Sequence, residues 1–166
     1  MATGRTSPRF AKFQIEDTGG VMRDVPVSSF GDVGLTYDEM DVSAFQETVK
    51  SFISGMANFS LTISGPFDNS AAATASTSGQ DAGSYLSGSH TVLEPLNGGL
   101  TEKSFGVYFG VQADWTTNDP VFGGVDSIIV TDYRVNIDNG TYSCKIVKAP
   151  SAANDPDWGT AAIAAS

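Results

Sequence analysis

One histidine, one cysteine and nineteen carboxylates are the side chains of this 166-residue chain best suited to chemistry. A Cys–His nucleophile needs a motif that places a thiolate beside an imidazole, and none flanks Cys144 or His90. Cys144 falls in the alternating run TYSCKIV, which predicts a small core residue, and a single cysteine makes no intrachain disulfide. Zinc needs several Cys or His ligands, and the chain has one of each. No G-x-S-x-G elbow is present, and His90 ends a Ser/Ala/Thr-rich stretch with no fixed partner in sequence. The glycine pairs at 19–20, 98–99 and 123–124 fall between strand-like runs, whereas a phosphate loop joins a strand to a helix. Four acids, Asp32, Asp38, Glu39 and Asp41, crowd the segment SSFGDVGLTYDEMD at 28–41, but their spacing is not that of a calcium loop. A carboxylate pair for glycoside hydrolysis is conceivable among nineteen acids, yet no spacing singles one out. The expectation is therefore no catalytic residue, no metal and no cofactor: a protein that works by assembling, not an enzyme.

Charge points the same way. Nineteen acids against nine bases leave a net charge of −10, which keeps copies dispersed and repels polyanions. A nucleic-acid binder would instead show a basic patch for phosphates. Four of the nine bases lie in the first 23 residues, among them Arg5 and Arg9. Residues 1–8 are expected to form a flexible arm, able to dock on an acidic surface of a neighbouring copy or simply to stay solvated. No apolar run has the form of a secretion signal or reaches the roughly 20 residues of a membrane span, so a protein folded in a cytoplasm and without a membrane partner is expected.

The elements that would position these residues are mostly strands. RFAKFQIED (9–17) alternates, meets Thr18-Gly19-Gly20, and is followed by VMRDVPV, predicting an opening hairpin. The acidic segment 28–41 predicts an exposed loop or extended hairpin. FSLTISG (59–65) puts Phe59, Leu61 and Ile63 on one face and the small polar Ser60, Thr62 and Ser64 on the other. Residues 69–90 lack periodicity and predict a flexible loop, and HTVLEPL a short strand. SFGVYFGVQADW predicts a strand with Phe105, Val107, Phe109 and Val111 on one face. VDSIIVTDYRVNI (125–137) is the longest, with Ile129, Tyr133, Val135 and Ile137 sharing a face, and Asp138-Asn139-Gly140 returns the chain into TYSCKIV. Residues 149–166 predict an extended tail anchored by Trp158.

One stretch differs. DVSAFQETVKSFISG (41–55) has Ser43 at an N-cap position, Gln46 three residues on, Glu47 early, Lys50 late and Gly55 at its end. Phe45, Val49, Phe52 and Ile53 fall at helical spacing, which predicts one helix whose apolar face packs on the sheet or on a neighbouring subunit. The summed expectation is a mainly β fold, an antiparallel β-sandwich or partly open barrel over 9–148 with one flanking α-helix.

The run MDVSAFQETVKSFISGMANFSLTISGPFDN (40–69) resembles the major tail tube proteins of long-tailed, siphovirus-like bacteriophages. The resemblance rests on the Asp41-Val42-Ser43 entry, a helix to Ile53, the Gly55 exit, an alternating strand, and Gly65-Pro66-Phe67-Asp68. The closing pair IIVTDYRVNIDNGTYSCKIVKAPS is similar too, so the two runs cover about a third of the chain. The fragment Gly55-Met56-Ala57-Asn58 and the 69–90 loop depart from the family's pattern. The resemblance implies homo-hexameric rings, a β-barrel around a channel, and helical stacking of rings into a tube. It also implies a place in the virion tail after assembly in the host cytoplasm, with terminator, distal tail and tape measure proteins as partners. DNA would pass transiently and non-specifically. In such a tube Ser60, Thr62 and Ser64 are candidates for the lumen face. Asp32, Asp38, Glu39 and Asp41 would contact the arm residues Arg5 and Arg9 between rings, and Phe45, Val49, Phe52 and Ile53 would pack the helix at a subunit interface. A related ring protein (terminator or contractile inner tube) and a virion decoration or receptor-binding β-sandwich stay open as alternatives.

Overall fold

A computed structural model describes residues 6–43, 49–73, 87–111, 115 and 119–166. Among them ten strands, one short α-helix and one 3-10 turn are formed. Strand β1 (Thr6–Glu16) turns at Thr18–Gly20 into β2 (Met22–Val25), giving the opening hairpin expected from its alternation. β1 begins at Thr6, so only residues 1–5 precede the sheet; Arg5 lies outside the described residues, and Arg9 sits within β1. The other strands are β3 (Ser29–Phe30), β4 (Thr36–Asp41), β5 (Phe52–Asn58), β6 (Ser60–Pro66), β7 (Lys103–Val111), β8 (Val121–Asn136), β9 (Thr141–Lys148) and β10 (Asp157–Gly159).

Eight strands form one antiparallel sheet in the order β2-β1-β7-β8-β9-β6-β3, with β10 beside β8. The sheet does not close into a barrel. It folds over on itself because β8 is a corner. Val121–Gly124 pairs with Phe105–Tyr108 of β7, Ile128 pairs with both Lys103 of β7 and Lys148 of β9, and Ile129–Asn136 pairs with β9. Between them the ladder slips, and Asp126 takes the left-handed conformation at φ 47°. Gly123 is required there, since a Cβ would stand 2.2 Å from the Phe105 carbonyl oxygen. Strands that change sheets at such irregularities make the corners of sandwiches. The two halves meet through apolar side chains. Phe59, at the start of β6, stacks on Phe105 of β7 with centroids 5.4 Å apart, and Phe13 of β1 meets Phe30 of β3 at 6.5 Å. Phe59, Leu61, Ile63, Phe105, Val107, Ile128, Val130, Tyr142, Cys144 and Ile146 are buried in this core, and Tyr108, Trp115 and Val121 form a smaller buried cluster. The mainly β, sandwich-like class read from the sequence is what the chain adopts.

Three expectations are corrected. First, no helix occupies the described part of 43–53. β4 and β5 instead form a separate two-stranded hairpin, with Met40 opposite Ile53 and Asp41 opposite Phe52; residues 44–48 lie outside the described residues. The Ser43 hydroxyl accepts the Ser51 N–H at 2.7 Å across the hairpin. Val49, Phe52 and Ile53 consequently do not pack on the sheet; they are 77%, 50% and 51% exposed, and Phe45 falls among the undescribed residues.

Second, the described end of the 69–90 stretch is ordered structure. Ser89–Leu93 form helix α1 and Glu94–Leu96 a 3-10 turn, where a short strand was expected. Ser89 pins α1 by donating to the Pro66 carbonyl at 2.9 Å and accepting the Asp68 N–H at 3.0 Å. Val92, Leu93 and Leu96 enter the core.

Third, β8 changes face midway. Val130 lies opposite Ile146 and Asp132 opposite Lys145, so Thr131 is an extra residue in the ladder. Ile128 and Val130 therefore join Tyr133 on the core side and Ile129 falls on the other face, while Val135 keeps the face of Tyr133, opposite Tyr142, and is exposed with Ile137 because both lie at the end of the strand. The C-terminal segment is held at the anchor expected of it. Trp158 in β10 packs its ring on Phe109 and Phe122 at 5.6 and 5.0 Å, and Ile163 donates its N–H to the Tyr108 hydroxyl.

Candidate functional site

His90 and Cys144 are both absorbed by the fold. His90, on α1, sits between Phe67 and Tyr133, and its Nδ1 lies 3.1 Å from the Tyr133 hydroxyl oxygen. Burial, with the nearby Cys144 and Glu94, pushes the Tyr133 hydroxyl up to about 12. Cys144 is fully buried, and burial pushes its thiol up to about 12, so it holds its proton at neutral pH. It is the core residue expected from its place in β9.

Three carboxylate–cation pairs around β1 are similarly occupied. On β1, Glu16 is nearly fully buried and meets the Lys103 ammonium at 3.2 Å, which also donates to the Asp17 carbonyl at 3.0 Å. Burial alone would raise the Glu16 pKa. Hydrogen bonds from Ser104, Lys103 and Ser166 outweigh it and hold the carboxyl below its ordinary value. Lys12 pairs with Asp24 at 3.2 Å and Arg23 with Asp17 at 2.7 Å. A cavity of about 210 Å³ between Thr18, Leu96, Lys103 and Val130 opens near the first of these pairs, but its one ammonium is the one Glu16 holds. No group of three or more His, Cys, Asp or Glu side chains among the described residues is placed to hold a metal. No helix among them is long and apolar enough to cross a membrane.

What remains exposed is a surface of a different kind. The β4–β5 hairpin stands apart from the sheet, and every residue of β4 is exposed. Its apolar side chains are exposed with it: Tyr37 54%, Met40 55%, Phe52 50%, Ile53 51% and Met56 81%. A lone two-stranded hairpin is at best marginally stable in water, and this one carries the apolar content of a buried element. Asp38, Glu39 and Asp41 lie along β4, so the sequence-predicted acids are strung out on a ribbon and do not converge on a point. Asp32 lies before the hairpin in the segment that lines a groove with Leu35, Thr36 and Asn58. Hydrogen bonds from Ser43 hold the Asp41 carboxyl below its ordinary value.

Ser60, Thr62 and Ser64 share the outer face of β6, as their alternation predicts. The register adds neighbours the sequence alone does not reveal. Thr62 pairs with Lys145 of β9, which pairs with Asp132 of β8; Ser64 pairs with Ser143, which pairs with Arg134. This small-residue face thus contains two cations, and Arg134 donates to Asp132 at 2.9 Å. The local signals for these pairings were the Asp138-Asn139-Gly140 turn, where Gly140 has φ 62°, and the alternation of β6. No family model matches this chain, and no curated protein matches it either.

Proposed function

We propose that this chain is a self-assembling structural subunit, and specifically a tail tube protein of a long-tailed bacteriophage, with six copies to a ring and rings stacked into a tube that conducts the genome. The observation that carries the assembly reading is the β4–β5 hairpin, which holds its apolar side chains in water with no sheet of its own to cover them. Burying them needs a second molecule. The antiparallel sandwich and the β8–β9 closing pair fit the tail tube resemblance. The helix ending at Ile53 that the resemblance implied does not, because β5 occupies those residues.

In the tube, Ser60, Thr62 and Ser64 line the channel. Lys145 and Arg134 would stand on the same wall beside Asp132, so sliding DNA meets a mixed polar surface whose cations already have a carboxylate nearby. The acids Asp32, Asp38, Glu39 and Asp41 lie between rings, facing Arg5 and Arg9 of a neighbour. Terminator, distal tail and tape measure proteins bound the tube. Negative-stain microscopy of the purified protein tests the reading. Sixfold rings and tubes are expected. Monomers at every concentration overturn assembly, and discrete trimers favour a decoration or receptor-binding protein instead. Removing residues 1–5, which precede β1, should shorten the tubes if the arm joins rings.

A further inference from the structure

We propose that Asn139 is a site of spontaneous covalent modification, passing through a cyclic imide with the Gly140 nitrogen to aspartate and isoaspartate, and that the fold shields the chain's other Asn-Gly step, Asn97-Gly98, from the same reaction. The inference is independent of what the chain assembles into. The chemistry sits in the dipeptide. The backbone nitrogen that follows an asparagine can lose its proton and attack the side-chain carbonyl carbon. A bond forms from that nitrogen to Cγ, the Cγ–Nδ2 bond breaks, and the amide nitrogen leaves as ammonia with the proton the backbone gave up. Water then opens the imide at either carbonyl, leaving aspartate or, with the main chain rerouted through the side chain, isoaspartate. The sum is one water consumed and one ammonia released. Glycine permits the attack because no Cβ crowds the nitrogen.

Both Asn-Gly steps occupy turns with the glycine in the left-handed conformation, Gly98 at φ 77° and Gly140 at φ 62°. Exposure does not separate them, since all four residues are exposed. What separates them is the hold on the attacking nitrogen. The Gly98 N–H donates to the Val130 carbonyl at 3.0 Å, and Asn97 itself bridges to Val130. Asn97 also donates its N–H to the Glu94 carbonyl at 3.1 Å, and Gly99 donates to the carbonyl of Leu96, whose side chain is in the core. Attack there requires the bond to Val130 to break and the turn to lift off the sheet, and the cost of that opening slows the reaction. The Gly140 N–H has no hydrogen-bond partner among the described residues, so solvent base reaches it without any opening of the fold.

The product changes the turn. The new carboxylate stands beside Asp138 and takes the chain one charge beyond −10. Isoaspartate also lengthens the main chain by one carbon just before a residue the fold uses. The Gly140 carbonyl accepts the Phe67 N–H at 2.8 Å, and the Phe67 ring packs on His90. The β8–β9 turn thus records the age of the folded chain.

The test incubates the full chain at mildly alkaline pH in heavy-oxygen water, folded and, in parallel, unfolded in guanidinium chloride, and follows both by peptide mapping with mass spectrometry. In the folded chain the amide-to-acid mass gain, with label from the water that opens the imide, should appear at Asn139 about tenfold or more faster than at Asn97. In guanidinium the two steps should convert at similar rates, because only the dipeptide then counts. Both labelled aspartate and labelled isoaspartate should be found at position 139. An Asn139 that stays an amide in the folded chain would overturn the proposal. So would an Asn97 that keeps pace with it there, or a lead for Asn139 that is as large in guanidinium, since neither leaves any part for the bond to Val130.

Discussion

The Tyr142 hydroxyl donates to the carbonyl oxygen of Pro26 at 2.7 Å, a bond between residues 116 positions apart. It ties β9, in one half of the folded sheet, to the chain leaving β2 in the other. Gly65 lies beneath it: a Cβ there would stand 2.5 Å from the Pro26 oxygen and 3.0 Å from the Tyr142 ring. Tyr142→Phe keeps the ring and loses the bond, at a cost of about 1 kcal/mol. Gly65→Ala drives a methyl into backbone and should cost about 2–3 kcal/mol. Urea unfolding measures both, with the midpoint falling and the m-value unchanged.

Glu16 and Lys103 set the response to acid. The native Glu16 carboxyl titrates below its ordinary value of 4.5, and Asp17, held by Arg23 and two backbone N–H groups against the upward push of burial, below 3.8. The unfolded chain thus binds more protons in acid. The stability these groups give is complete above about pH 4.5 and is lost as pH falls through the lowered native values. Glu16→Gln should lower stability at neutral pH and flatten the acid limb of the unfolding profile. Lys103→Met leaves a buried carboxylate without its cation and should cost on the order of 3 kcal/mol at pH 7.

Two isoleucines of the β8–β9 ribbon differ in what they hold. Ile146 on β9 is fully buried, while Ile137, just past the end of β8, projects into solvent. Ile146→Ala should cost about 2–5 kcal/mol through lost burial and the cavity it leaves. Ile137→Ala should change monomer stability by less than about 0.5 kcal/mol. Thermal unfolding of the two variants side by side reads the difference.

The sequence was most legible where a turn signal and strict alternation agreed. The β1–β2 hairpin, β6 with Phe59, Leu61 and Ile63 inside, the β8–β9 turn and the buried Cys144 all follow from period two and glycine. It was least legible where a pairing partner far along the chain decided the outcome. The Ser43–Gln46 cap and the spacing of Val49, Phe52 and Ile53 satisfy a helix locally. Yet 36–41 offers 52–58 a partner, and pairing overrides a local preference for helix. α1 was hidden for the converse reason, since Thr91, Val92 and Leu93 suit a strand but Ser89 is held by Pro66 and Asp68. A bulge such as Thr131 leaves no mark in composition, so the separation of Ile129 from the face of Tyr133 could not be read. Nor could the pairing of Glu16 with Lys103, 87 residues apart. Of the assembly surface, the acids and an exposed 28–41 segment were visible and the apolar strand facing it was not, because Phe52 and Ile53 were assigned to a packed helix face.

Phe52 separates folding from assembly. Were it packed in the core, Phe52→Asp would place a charge in an apolar contact and cost several kcal/mol. It is half exposed, opposite Asp41 on a hairpin detached from the sheet. A second carboxylate facing Asp41 adds like-charge repulsion across the pair, a fraction of a kcal/mol, and confines the damage to the hairpin. The variant should therefore unfold within about 0.5 kcal/mol of the wild type. Its assembly should suffer far more, because the substitution removes an apolar anchor and adds negative charge to a surface that already carries Asp38, Glu39 and Asp41. Sedimentation velocity across a concentration series measures the second effect and urea unfolding the first. A stable variant that still assembles at wild-type concentrations would take Phe52 out of the contact. A variant that fails to fold would mean that the hairpin supports the sandwich core.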